Sequence, residues 1–257
     1  MLETRELTVR FGGHTAVDRV SCRFEAGTLT AIVGPNGAGK TTYFNLVSGQ
    51  LRASSGRVLL GGADIGGLSA PSRTRRGLGR AFQLTQLFAR LTVHENLRLA
   101  VQAREQGRPG GGTALDLLRL WSARRAWIDE ADALLHQVQL RAQRDALAAT
   151  LSHGDQRKLE VALLMALRPR VYLFDEPTAG MSADDAPVVL GLIRALKVRP
   201  EVCILLVEHK MDVVRELADR IVVLHQGAKV AEGEPAAVIA SPVVQQAYLG
   251  RAAGAAA

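Results

Sequence analysis

The chain opens on alternation of apolar and polar side chains. Leu7-Thr8-Val9-Arg10-Phe11 and Val20-Ser21-Cys22-Arg23-Phe24 both read as strands with one buried face. Thr28–Val33 is largely apolar instead and predicts a strand buried on both faces. It runs into the turn Gly34-Pro35-Asn36-Gly37-Ala38-Gly39. A helix follows, with Phe44, Leu46 and Val47 on its apolar side and Gly49 near its end. Gly56–Gly62 reads as a further strand closing at a turn. From about Val93 to Leu147 the period becomes helical, with Ile128, Ala131, Leu134, Leu135 and Val138 at core-facing spacing and glycines clustered only at Gly107–Gly112. Then strands and helices alternate: helix Gln156–Leu167, strand Val171–Phe174, helix Ala183–Lys197, strand Val202–Val207, helix Met211–Leu217, strand Ile221–Leu224. Such alternation predicts an α/β fold, a mainly parallel sheet covered by helices with a helical lobe inserted. The tail Gly250–Ala257 is low in complexity and is expected to fray.

Composition changes this picture little. With 257 residues, 47% hydrophobic and 22% charged, the chain has the make-up of a globular protein and not of a disordered or fibrous one. The net charge of +7 permits an acidic partner without selecting one. Only Lys40, Lys158, Lys197, Lys210 and Lys229 are lysines, and an Ala- and Arg-heavy chain follows readily from genome composition. No apolar run approaches the ~18 residues that cross a bilayer. The amino terminus is charged where a signal peptide is apolar, so a cytoplasmic protein is expected. Cys22 and Cys203 lie in separate apolar stretches and are expected to be buried free thiols, with no metal-ligand spacing around them.

Gly34-x-x-x-x-Gly39-Lys40-Thr41 fits the phosphate-binding loop pattern. Its glycines let backbone N–H groups approach phosphate oxygens, and the following helix offers its positive end. In that pattern Lys40 reaches the β- and γ-phosphates and the Thr41 hydroxyl ligates Mg²⁺. Val171-Tyr172-Leu173-Phe174-Asp175-Glu176 is an apolar strand ending in two acids, which a parallel sheet places beside such a loop. Asp175 there can hold Mg²⁺ through water, and Glu176 can polarise an attacking water. His209 follows the next buried strand toward the same sheet edge, placed for a γ-phosphate contact.

These residues resemble the ATP-binding subunit of an ABC transporter over nearly the whole chain. Gly34–Thr42 resembles Walker A, with Gly34, Pro35, Asn36, Gly37, Ala38, Gly39, Lys40, Thr41 and Thr42 as the ATP-binding residues. Ala81-Phe82-Gln83 is similar to the Q-loop, and Leu151-Ser152-His153-Gly154-Asp155-Gln156 to the ABC signature. Phe174-Asp175-Glu176-Pro177 resembles Walker B, Thr178–Ser182 the D-loop, and Glu208-His209 the switch histidine. The signature is the specific feature, since other phosphate-loop NTPases lack it.

The resemblance implies one ABC ATPase domain over 1–257. Residues 1–92 and 156–257 would form the nucleotide-binding core with an antiparallel β subdomain, and 93–155 a helical subdomain ending in the signature. It implies ATP and Mg²⁺ as cofactors, with Glu176, His209, Lys40 and Gln83 catalytic and Thr41, Gln83 and Asp175 about the metal. Phe11 would stack on adenine. Ser152 and Gly154, within the signature Ser152-His153-Gly154-Asp155, would contact ATP bound by a second, same or similar ATPase subunit. The other implied partners are transmembrane permease subunits, received in a groove lined by Leu87–Val93, and a periplasmic or lipoprotein solute-binding protein. Nucleic acid is not an expected partner, and the place of work is the inner face of the cell membrane.

Within the family, Arg80-Ala81-Phe82-Gln83, Leu91-Thr92-Val93-His94-Glu95-Asn96 and Ala179-Gly180-Met181 look like the branched-chain amino-acid uptake branch. Urea-uptake and lipopolysaccharide-export relatives share part of this spelling. His153 and Asp155 depart from the usual Leu-Ser-Gly-Gly-Gln, and Ser182 stands where the D-loop commonly ends in Asp. A GTPase reading draws on Asp64-Ile65-Gly66-Gly67 and His209-Lys210-Met211-Asp212, but His209 cannot replace an asparagine amide and the signature is left unexplained. A ribosome- or DNA-directed ABC ATPase would carry a second cassette or a long coiled coil. The arginines Arg119, Arg124, Arg125, Arg141 and Arg144 are expected to form a solvated face rather than a nucleic-acid surface.

Overall fold

A computed structural model of the chain describes residues 1–81, 87–106 and 125–249. It divides into two compact units, one made of Met1–Arg80, Arg170–Glu176 and Lys197–Ala257, the other of Ala81–Pro169 and Pro177–Leu196.

The first unit holds two sheets. In chain order it contains β1 (Leu2–Phe11), β2 (His14–Phe24), β3 (Leu29–Val33), α1 (Lys40–Ser48), β4 (Ser55–Leu60), β5 (Ala63–Asp64), α2 (Ala70–Arg75) and β6 (Leu78–Ala81). β1, β2, β4 and β5 make an antiparallel sheet in the order β2-β1-β4-β5. Later segments bring β7 (Val171–Asp175), β8 (Cys203–Val207), β9 (Arg220–His225) and β10 (Ala228–Gly233) to the second sheet, ordered β10-β9-β3-β8-β7-β6. Its centre is parallel, with Ile32 opposite Val207 on one side and Val222 on the other. β3, β7 and β8 are buried at every position, as their unbroken apolar runs require. Phe24, Tyr43, Phe44, Ile32 and Leu173 belong to one core cluster that draws on both sheets and α1. Cys22 and Cys203 lie buried as free thiols, and burial drives their pKa values up to about 11 and about 12.

The second unit is helical. Its elements are α3 (Val93–Gln106), α4 (Arg125–Gln137), α5 (His153–Leu167) and α6 (Ala186–Lys197). Thr92 and Glu95 close a reciprocal capping box at the start of α3, through Glu95 N–H to Thr92 Oγ1 and Thr92 N–H to Glu95 Oε2. Ala131, Leu135 and Val138 are fully buried at the spacing expected of them. Arg104 of α3 grips both carboxylate oxygens of Glu130 on α4, at 2.6 and 2.8 Å. It also donates to the Ala166 carbonyl near the end of α5, so one guanidinium ties three helices together.

Several boundaries differ from those the periodicity implies. α5 begins at His153 and not Gln156, because Ser152 caps it: the Asp155 N–H donates to Ser152 Oγ. α6 begins three residues later than expected, since Ser182 and Asp185 hold a turn ahead of it. α7 (Met211–Leu217) falls where expected, whereas the short β5, β10, α2 and α8 (Pro235–Ala240), and α9 (Pro242–Leu249), carry too little periodic signal to be read from sequence. Among the described residues no helix is long and apolar enough to cross a membrane. Arg144 pairs with Asp132 and Asp145, and Arg125 and Arg141 are exposed. Arg119 and Arg124 lie outside the described residues.

Candidate nucleotide site

The phosphate loop joins β3 to α1. A side chain at Gly34 would put its Cβ 2.1 Å from the Leu224 carbonyl oxygen, and one at Gly39 would meet the Ala16 carbonyl at 2.5 Å. Gly39 also caps α1 with a left-handed φ of 95°. The first turn of α1 contains no acidic residue, so nothing on the helix itself neutralises its positive end. Lys40 is buried and donates to the Gly34 and Pro35 carbonyls at 2.7 and 3.0 Å. Burial pulls its pKa below the usual lysine range, opposed by Glu176 and Asp175. The loop surrounds a cavity of about 460 Å³ lined by Asn36, Gly37, Ala38, Gly39, Lys40, Thr41 and Thr42, with His14, Ala16, Glu176 and His209.

β7 delivers the two acids. Asp175 is fully buried; its Oδ2 accepts a 2.8 Å bond from Arg80, and its Oδ1 has no hydrogen-bond partner among the described residues. Burial raises its pKa, against the pull of Arg80. Glu176 leaves the strand with a left-handed φ of 49°, a costly conformation for a residue with a Cβ, and its N–H donates to the Val207 carbonyl. Its Oε1 lies 2.6 Å from His209 Nε2. Glu208 fixes the backbone here, its Oε2 accepting from the His209 and Lys210 N–H groups.

The fit to Mg²⁺ rests on chemistry. A buried carboxylate oxygen without a partner and a hydroxyl on the adjoining helix are hard oxygen donors, and Mg²⁺ takes one or two such protein groups together with phosphate oxygens. Asp175 and Thr41 meet that description. Gln83 lies outside the described residues. Phe11 is 51% exposed at the end of β1, paired with His14 across the hairpin, and so is not a core residue; His14 and Ala16, not Phe11, line the cavity. Asp64 is occupied in a turn, accepting from the Gly66 N–H, and does not line the cavity.

The signature belongs to the helical unit. Gly154 packs under Asp185, whose Oδ2 would stand 2.7 Å from a Cβ there, and the His153 ring lies against Gly180. The charge that Asp155 introduces is met within the chain: Lys158 Nζ lies 3.0 Å from Asp155 and 2.5 Å from Asp185, and Ser182 donates to Asp185 at 2.8 Å. The departures at 155 and 182 thus meet through Lys158 and Asp185, which sequence reasoning missed: the i, i+3 spacings of Asp155 with Lys158 and of Ser182 with Asp185 are visible, but no spacing links the two pairs. Phe88, in the expected partner groove, is 60% exposed, with Asn96 bonded to its backbone.

Comparison with known proteins agrees with this architecture. The ABC transporter family model matches residues 17–179. The chain is 37% identical over 252 residues to the high-affinity branched-chain amino acid transport ATP-binding protein BraF of Pseudomonas aeruginosa, covering 98% of each. It is 36% identical over 255 residues to LivG of Escherichia coli K12, a protein of the same description, again covering 98% of each. Among solved structures, the ADP conformation of an ATP-binding cassette of an ABC transporter superposes with a TM-score of 0.80 at 29% identity, over 97% of this chain and 98% of that one. The chain belongs to the ABC transporter family, as an ATP-hydrolysing subunit.

Proposed function

We propose that the chain binds ATP with Mg²⁺ around its phosphate loop and hydrolyses it to drive uptake of branched-chain or related amino acids. Separate permease subunits would carry the solute, a periplasmic or lipoprotein solute-binding protein would deliver it, and the chain would work on the inner face of the cell membrane. The observation that carries the chemistry is the Glu176–His209 contact at the rim of the cavity that Lys40 also lines. The solute class draws on what BraF and LivG are described as serving.

In this reading Lys40 exchanges two neutral carbonyl partners for phosphate oxygens, a stronger charge-assisted bond. Bound Mg²⁺ supplies charge neutralisation on the phosphates, held by Thr41 and Asp175, with Gln83 assigned to it by the resemblance. Glu176 accepts the proton of, or orients, the attacking water, and His209 holds that carboxylate in place and contacts the γ-phosphate. Ser152 and Gly154, with His153 and Asp155 beside them, close on ATP held by a second subunit, where the N-terminus of α5 favours phosphate.

Glu176→Gln should lower phosphate release by about 10³-fold, within the range of a lost general base, while a fluorescent ATP analogue still binds. Rapid turnover by that variant would sink the assignment. Purification of the chain with its bound partners tests the biological role: permeases and a solute-binding protein support uptake, whereas ribosomal or DNA-repair proteins without a permease would overturn it.

A further inference from the structure

Arg80 is a buried arginine whose bonds converge on the nucleotide site. Its side chain is 5% exposed. Nη2 donates to Asp175 Oδ2, while Nη1 faces Asn45 Oδ1 at 2.7 Å, Ser48 Oγ at 3.0 Å and Gln50 Oε1 at 2.6 Å. The guanidinium also lies over the Phe44 ring, 5.7 Å from its centre. An arginine beside a carboxylate commonly takes both oxygens through two parallel bonds. Here it takes one, although among the described residues its Nε is buried without a partner and Asp175 Oδ1 stays unbonded. Nη1 is spent on α1 and on Gln50, two residues past the end of that helix. Thr41, Asn45 and Ser48 fall at i, i+4 and i+7, one face of that helix.

We propose that Arg80 is a positioning residue for the metal: it pins Asp175 by one oxygen to the face of α1 that carries Thr41, and so presents the other oxygen to Mg²⁺. This rests on the reading of Asp175 as a metal-holding carboxylate. Among the described residues Asp175 is the one anion bonded to Arg80, so the pair stays together in the buried site, and the three neutral acceptors set where the guanidinium sits.

The test is metal affinity, measured directly. Mn²⁺ in place of Mg²⁺ is titrated by electron paramagnetic resonance in the presence of ATP, and binding of a fluorescent ATP analogue is measured in EDTA. Arg80→Gln should weaken Mn²⁺ by about 10- to 100-fold, the usual cost of losing an outer partner of a metal ligand, with nucleotide affinity in EDTA unchanged. Arg80→Lys should lose less, since an ammonium keeps the charge but not the fork that spans Asp175 and α1. Should Arg80→Gln fail to give a cooperative melt, the lysine variant carries the test. Tighter Mn²⁺ binding in Arg80→Gln would mean that Arg80 competes with the metal, and would overturn the proposal. So would a parallel loss of affinity in EDTA, which marks a structural role. Asp175→Asn separates the two readings: if it keeps Mn²⁺ affinity, the assignment of Asp175 fails, whereas if it loses Mn²⁺ and Arg80→Gln does not, only the role of Arg80 falls.

Discussion

Around the phosphate loop, charge is left incompletely answered. Lys40 rests on neutral carbonyls, Asp175 keeps a buried oxygen without a partner, and Glu176 sits in a backbone conformation that suits it poorly. Around the signature the opposite holds: Asp155, Lys158, Asp185 and Ser182 satisfy one another within the chain, and Ser152 is engaged as a helix cap. Buried polar groups are nearly always paired, so the Asp175 oxygen left waiting marks this region as one prepared for a ligand. A region whose charged groups already bond one another is a finished surface. It can meet a partner without first being reorganised.

The sharpest way to break this contrast is Gly34→Ala. Its methyl group would meet the Leu224 backbone oxygen, which cannot swing aside as a side chain can. Loss of stability on the order of 4 kcal/mol is expected, at the extreme of single substitutions, read by chemical denaturation and accompanied by loss of ATP binding. Lys158→Ala probes the other region. It leaves Asp155 and Asp185 without their shared cation and should cost about 1–3 kcal/mol, with ATP affinity of the single chain untouched. A simultaneous loss of nucleotide binding would dissolve the distinction between the regions.

The smallest effect is one of pH. Bonds from Arg104 hold the Glu130 carboxyl below its ordinary 4.5, against the upward push of burial. A carboxyl lowered on folding stabilises above its unfolded pKa, and that contribution disappears as pH falls through the folded value. Wild type should therefore exceed Glu130→Gln by about 1 kcal/mol near neutrality. The two denaturation curves should begin to converge as pH falls below the unfolded carboxyl value and meet only once it has passed the lowered folded one. A gap that stays constant with pH would show that the Arg104 bridge does not depend on the charge of Glu130.

How far the chain could be read beforehand follows the same physics. β3, β7 and β8 were legible because a strand buried on both faces leaves an unbroken apolar run, and the acids ending β7 stood out against it. The phosphate loop was legible because its glycines answer a steric demand that other residues cannot meet. The onset of α5 was not, since Ser152 acts through a single capping bond outside any period. Arg73 and Arg80 were hidden for another reason. Both look like members of an arginine-rich background, yet Arg73 is buried and donates to the carbonyls of Leu46, Val47, Gly66 and Leu68. Which arginines turn inward depends on where three-dimensional folding leaves unanswered acceptors, and no local pattern encodes that.

The left-handed turn at Glu176 has a consequence for the molecule's history under selection. Glycine adopts that conformation freely and asparagine nearly so, whereas glutamate gives up about 1–2 kcal/mol to hold it. The partly exposed contact with His209 returns little of that. A laboratory population of this gene, challenged only to survive heat, would be drawn toward glycine or asparagine at 176 and so away from the carboxylate that the proposed mechanism needs. On that reading, glutamate persists there only while ATP hydrolysis itself is under selection.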